Sequence, residues 1–175
     1  GSNAGHTIIN EHGKFVLHLL PSGVFYPNVV NVLGPGVAVN ISILLQEIER
    51  LVERGLPVPK LRVSDRAQVI LPYHNLLDQY EEERLAGRQY GSTKQGIAPF
   101  YADKVQKLGV QVADLYDEER LRQRVSTSLE IKNVLLEHLY HKPPLDAEEI
   151  VDKLLHNAEQ LRPYVADTTS ELHEA

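Results

Sequence analysis

The chain has no cysteine among its 175 residues, which excludes both a disulfide framework and any thiolate metal site and is compatible with a reducing cytoplasm. Methionine is absent as well, even at the first position, so the expectation is a stretch cut from a longer protein. A missing motif then does not mean a missing function. No apolar run is long enough to span a bilayer and no signal peptide opens the chain, so a soluble protein is expected. A block of one-signed charge is lacking too. The formal net charge is −6 with acids and bases interspersed, which argues against a nucleic-acid or anionic-membrane surface and leaves room only for a small anion held locally. Since domains usually run about 100 to 150 residues, one main domain with an appendage is expected.

Two periodicities are present. Thr7 to Asn10 and Lys14 to Leu20 are β-prone runs joined by Glu11-His12-Gly13, which predicts a hairpin. Val29 to Leu33 is short, β-branched and nearly all apolar, as a buried strand would be. Asn40 is placed to cap a helix in which Ile41, Leu44, Leu45, Ile48, Leu51 and Val52 share one face, with Gln46, Glu47, Glu49 and Arg50 on the other, and Gly55 ends it. Leu61 to Val63 and Gln68 to Leu71 read as strands around Ser64-Asp65-Arg66, and a helix follows from near Pro72 toward a solvated Glu81-Glu82-Glu83-Arg84 run. Beyond the loop from Gly87 to Pro99 the spacing is helical: Pro99 to Leu108, Asp117 to His141, and Asp146 to Leu161, the last opening on a capping box between Asp146 and Glu149. The fold class expected is therefore α/β, a partial mixed sheet with flanking helices over residues 1–98 followed by a mostly helical subdomain over 99–175.

Few local patterns point to chemistry. Gly91-Ser92-Thr93-Lys94-Gln95-Gly96 has the glycines, hydroxyls and charge of a phosphate cradle running into a helix, but Ile97-Ala98 stands where a Walker motif requires Lys-Ser/Thr, and local pattern alone favours a plain surface loop. His138 and His141 lack the carboxylate pattern of a zinc helix and suit a helix C-terminus better. His6 stands between Gly5 and Thr7, where glycine admits a ligand to the backbone, the imidazole moves a proton near neutrality and the threonine adds a hydroxyl; a structural histidine is the plainer alternative. Ser2-Asn3-Ala4 reads either as a cloning remnant or as the front of a native loop.

Taken together, Asn3-Ala4-Gly5-His6-Thr7, Leu17-His18-Leu19-Leu20-Pro21-Ser22-Gly23, Ser64-Asp65-Arg66-Ala67 with Leu71-Pro72-Tyr73-His74, and Gly91-Ser92-Thr93 with Gly96-Ile97-Ala98-Pro99-Phe100-Tyr101 and Asp103-Lys104 resemble the adenylosuccinate synthetases. The order and intervals of these blocks match, and the resemblance favours a native Asn3-Ala4. It implies a cytoplasmic, homodimeric, GTP-dependent ligase of purine biosynthesis built on a core like that of the P-loop NTPases. Such a ligase joins IMP and L-aspartate through 6-phosphoryl-IMP with Mg²⁺ as cofactor.

By the same resemblance His6 is the catalytic acid, Gly5 offers its carbonyl to Mg²⁺, Asn3 and Ala4 contact IMP, Thr7 lies beside the GTP phosphates, and Thr93 holds the IMP 5′-phosphate. Where relatives place an arginine that reaches the partner's IMP phosphate, this chain has Lys107, which keeps the charge and loses the planar fork. Lys94-Gln95 and Ala98 also depart from the family's Gly-Arg and glycine. The phosphate loop with its general base, and the guanine- and aspartate-binding segments, have no counterpart here, so this stretch alone is expected to be inactive. The rival expectation is a non-catalytic helical module serving dimer contact, with His6 structural.

Overall fold

The structure is a computed structural model that describes residues 5–86 and 94–166. The elements run β1 (His6–Asn10), β2 (Gly13–Leu17), β3 (Asn31–Leu33), β4 (Ala38–Val39), α1 (Ile41–Glu53), β5 (Leu61–Ser64), β6 (Gln68–Val69), α2 (Pro72–Arg84), α3 (Ile97–Val105), β7 (Val110–Gln111), α4 (Glu118–Val134), α5 (Ala147–Leu161) and β8 (Val165–Ala166). This is the expected α/β class, with the strands gathered into three small sheets.

The hairpin forms as its turn chemistry requires. Gly13 adopts φ 114°, open to glycine, and β1 pairs antiparallel with β2 so that His6 faces Leu17 and Thr7 faces Val16. Phe15 and Leu17 go into the core while Lys14 and Val16 face out, the alternation of a half-buried strand. β5 is the middle strand of a parallel sheet, flanked by β3 and β8, with Leu33, Val63 and Val165 in line. β4 runs parallel to β6, and β6 antiparallel to β7. Four strands, β4, β6, β7 and β8, have only two residues; β6 lies in a run read as a strand from the sequence, while neighbours, not propensity, make the other three strands.

α1 starts where Asn40 Oδ1 accepts the Ile43 N–H at 3.2 Å, and α4 where Asp117 Oδ1 accepts that of Arg120 at 3.1 Å. α5 is capped by Asp146, but through the Glu148 N–H at 3.2 Å, one residue earlier than the capping-box spacing predicts. α4 passes into a π-helical turn over Leu135–Leu139. One apolar cluster runs from Phe15 in β2 through Leu44 and Leu51 in α1, Leu61 and Val63 in β5, Leu121 and Val125 in α4, to Val151 and Leu161 in α5. Among the described residues no helix is long and apolar enough to cross a membrane.

Candidate functional site

Gly5, His6 and Thr7 lie together where the chain enters β1, all exposed. What holds them is behind them. Glu47, which helical spacing assigns to the solvent face of α1, is 3 % exposed, and its carboxylate accepts the successive backbone N–H groups of His18, Leu19 (3.1 Å) and Leu20 (3.0 Å). Three parallel donors on one carboxylate are an anion nest filled by the protein's own side chain. The residue that follows β2 is thereby fixed, and its ring is in turn set against the site. A β-carbon on Gly5 would stand 2.8 Å from His18 Cε1. α1 grips the hairpin again at its other end, where Arg54 donates to the Lys14 carbonyl and its guanidinium lies 4.5 Å over the Phe15 ring. Asn3 and Ala4 lie outside the described residues.

Thr93 also lies outside them, but the backbone just after it is anchored. Gly96 has φ 78° and donates its N–H to Asp78 Oδ2 at 3.0 Å, and the Lys94 carbonyl accepts from Asn75 Nδ2 at 3.2 Å. Only glycine fits at 96, since a β-carbon would come within 2.8 Å of the His74 carbonyl carbon. α3 begins there and rests on α2.

The two helices are joined by a buried polar chain. His74 Nδ1 accepts the Leu71 N–H at 3.0 Å, so the imidazole, third residue of α2, takes the part that Glu or Gln plays in a capping box. Its Nε2–H therefore points to Asp103 Oδ2, at 2.7 Å, while Asp103 Oδ1 accepts from Lys132 Nζ of α4 at 2.6 Å. All three side chains are buried. Burial is the main cause pushing the His74 pKa below its usual value, over the opposing hydrogen bond to Asp103. Burial alone would raise that of Asp103, but the hydrogen bonds from His74 and Lys132 together keep the carboxyl below its ordinary range. The result is a neutral imidazole beside a carboxylate–ammonium pair.

Lys107 follows α3 with φ 60° and is exposed. It helps line an open cavity of about 550 Å³ with Arg120, Gln123, Arg124 and Thr127. The buried Asp114 holds Arg120 at 2.8 Å and sits 3.7 Å from Arg124, whereas the Lys107 ammonium has no partner among the described residues. Gly5, His6 and Thr7 are not part of this lining; the structure puts the imidazole and the lysine on different elements, at the front of β1 and the end of α3.

Among the described residues no cluster of three or more His, Asp or Glu side chains could hold a metal ion. Gly5, the expected Mg²⁺ ligand, is an exposed residue, and hard cations accept backbone carbonyls alongside phosphate and water oxygens. Sequence reasoning missed Glu47, His74 and Lys132. Glu47 carries no local signal, and the 29-residue separations of Asp103 from His74 and from Lys132 correspond to no helical or strand period.

A family model for adenylosuccinate synthetase matches residues 1–175. The chain is 45 % identical over 175 residues to the adenylosuccinate synthetase of Lactococcus lactis subsp. cremoris and 43 % identical to that of Nostoc punctiforme, covering all of this chain but 41 % and 39 % of theirs. Among solved structures, the fully ligated adenylosuccinate synthetase of Plasmodium falciparum superposes with a TM-score of 0.81 at 30 % identity, over 99 % of this chain and 40 % of that one. The succinoaminodeoxyadenylate synthetase of cyanophage S-2L, bound to dGMP and dATP, aligns with a TM-score of 0.51 at 25 % identity over 75 % of the chain. The chain spans about two-fifths of the length of these relatives, and with the family model extending over its whole length it belongs to the adenylosuccinate synthetase family.

Proposed function

We propose that this chain is the part of a GTP-dependent ligase that carries the catalytic imidazole and one arm of the IMP phosphate site. The whole protein, acting as a homodimer in the cytoplasm, joins IMP and L-aspartate. The γ-phosphoryl of GTP passes to the purine 6-oxygen, forming one P–O bond as the bond to GDP breaks. The aspartate amine then forms a bond to C6 and phosphate leaves with its oxygen. A purine oxygen is a poor leaving group and phosphate a good one, so the first step makes the second feasible. Phosphoryl transfer needs positioning and charge stabilisation more than covalent help.

His6 is the group this chain contributes to that chemistry, donating a hydrogen bond to the reacting oxygen as charge builds there. In this reading Thr7 serves the GTP phosphates, Asn3 and Ala4 contact IMP, and Thr93 and Lys107 bind IMP 5′-phosphates, Lys107 that of the partner subunit. When bound, Mg²⁺ neutralises phosphate charge, and the Gly5 carbonyl is the oxygen the chain would give it.

The observation that carries this reading is the family match over all of residues 1–175, with Gly5-His6-Thr7 exposed at the front of a strand braced from behind by Glu47. The test is adenylosuccinate formation by the full-length protein. His6→Ala is expected to lower turnover about 10³-fold with the fold intact. An unchanged rate would favour a non-catalytic helical module. Offering dGMP with dATP, the nucleotides bound to the phage relative, in place of IMP with GTP is expected to give no product, and turnover of that pair alone would overturn the IMP reading. The 175-residue chain alone is expected to form no product.

A further inference from the structure

The end of α3 carries a lysine where the backbone asks for glycine. The Lys107 N–H donates to the Lys104 carbonyl at 3.1 Å and the Leu108 N–H to the Asp103 carbonyl at 2.8 Å. This pair of bonds is the Schellman closure, whose left-handed position is usually glycine. Lys107 occupies it at φ 60°. A left-handed non-glycine residue costs on the order of 1 kcal/mol and persists only where surrounding structure fixes it. What fixes it here is identifiable, because Asp103 is held at both ends of its own residue. Its carboxylate is clamped between His74 Nε2 and Lys132 Nζ, and its carbonyl receives the Leu108 N–H that closes the turn.

We propose that His74, Asp103 and Lys132 are positioning residues which, through the Asp103 backbone, set the direction in which Lys107 presents its ammonium to a phosphate. Each of the three belongs to a different helix, so α3 can neither rotate nor slide without breaking a buried ionic hydrogen bond. Two features make this more than core packing. The clamped residue is the one whose carbonyl closes the turn, and the residue held in a strained conformation is a cation without a partner among the described residues. The loss of the arginine's planar fork at this position raises the demand on orientation, since a lysine reaches its anion as a point charge from a flexible stem.

The proposal rests on the reading of Lys107 as a ligand of the IMP phosphate, and the experiment separates the two. In the full-length protein, Asp103→Asn and Lys107→Gly are compared singly and combined. Lys132→Met serves as a second way to loosen the clamp if Asp103→Asn folds poorly. KM for IMP and kcat are measured at saturating GTP and aspartate, and exchange of the Leu108 amide is followed by NMR. Lys107→Gly is expected to raise KM for IMP about tenfold with kcat nearly unchanged, the loss of one charge-assisted bond. Asp103→Asn is expected to raise KM severalfold and to speed Leu108 exchange about tenfold, and the combined variant to be no worse in KM than Lys107→Gly alone. Additive effects on KM, or unaltered Leu108 exchange in both Asp103→Asn and Lys132→Met, would overturn the positioning role. If Leu108 exchange responds as expected but Lys107→Gly leaves KM for IMP unchanged, the IMP reading of Lys107 falls and the clamp on its backbone stands.

Discussion

One carboxylate decides how the front of β1 is presented. Glu47 is buried on a helix face, and its two oxygens satisfy three N–H groups that would otherwise be left without partners at the end of β2. Removing the acceptor while keeping the donors buried is the costly case, at roughly 1 to 3 kcal/mol for each group left unpaired. Glu47→Ala is therefore expected to lower the unfolding free energy by about 3 kcal/mol, and Glu47→Gln, which keeps one carbonyl oxygen, by about half of that. Urea unfolding of the two variants checks the order, and equal losses would mean that the carboxylate only fills space. Gly96 is the second decisive residue. Gly96→Ala sets a β-carbon against the His74 backbone at a left-handed φ and is expected to cost about 2 kcal/mol or more. The same unfolding measurement decides it: a loss within about 0.5 kcal/mol would show that α2 and α3 separate easily there.

At the scale of elements, α2, α3 and α4 form a unit held by charges as well as by packing. The folded chain resists protonation of His74, which the unfolded chain accepts near its ordinary value of 6.5, so the unfolded state binds the extra proton and stability falls as pH drops below that value. The lowered Asp103 carboxyl works in the same direction further into acid. Unfolding in urea at pH 7.5 and pH 5.5 is expected to show lower stability at the acid value, and His74→Gln to flatten much of that difference; an equal pH difference in the variant would assign the acid sensitivity to other groups. The helices of this unit were legible in the sequence. Pro72 marks the start of α2, Asp117 that of α4, and the apolar spacing of α1 and α5 shows directly which side faces the core. Their polar contacts were not. Periodicity placed Glu47 with the solvated residues and gave Glu81-Glu82-Glu83-Arg84 as a solvated run. In the fold Glu82 is buried, and Glu81 is held down to about 2 by hydrogen bonds from Arg84 and then Tyr140. A hydrogen bond formed 59 residues away leaves no trace in a window of one helix. The front of the candidate site was legible for the opposite reason, since Gly5, His6 and Thr7 are adjacent in the chain.

Across the whole molecule the question is whether the change from mixed to helical spacing near residue 98 is also a boundary of folding. We propose it as a change in element type alone, because the core crosses it. α5 supplies Ile150, Val151, Leu154, Ala158 and Leu161 to the cluster that contains Phe15, Leu44 and Val63, and the Tyr116 hydroxyl reaches back to the Ala158 carbonyl at 2.9 Å. β8, the strand after α5, pairs with the middle strand β5. Burying such large apolar side chains contributes roughly 1.5 to 3 kcal/mol each, so the set amounts to about 10 kcal/mol, comparable with the entire stability of a domain. A chain ended after Leu145 is therefore expected to lose the whole cooperative transition rather than its helical end alone. Far-ultraviolet circular dichroism during urea unfolding makes the comparison. Loss of the sigmoidal transition agrees with one shared core, whereas a surviving transition, with a denaturant slope reduced in proportion to the shorter length, would mean that residues 1–145 fold without α5 and overturn the shared core. In a single cooperative unit, global unfolding of the hairpin bearing His6 and of the turn bearing Lys107 goes with that of α5, while local opening at either is set by its own bonds. Substitutions such as Val151→Ala, distant from both, are then expected to lower stability by about 1 to 3 kcal/mol through the core and to leave the local bonds at Glu47 and Asp103 as they are.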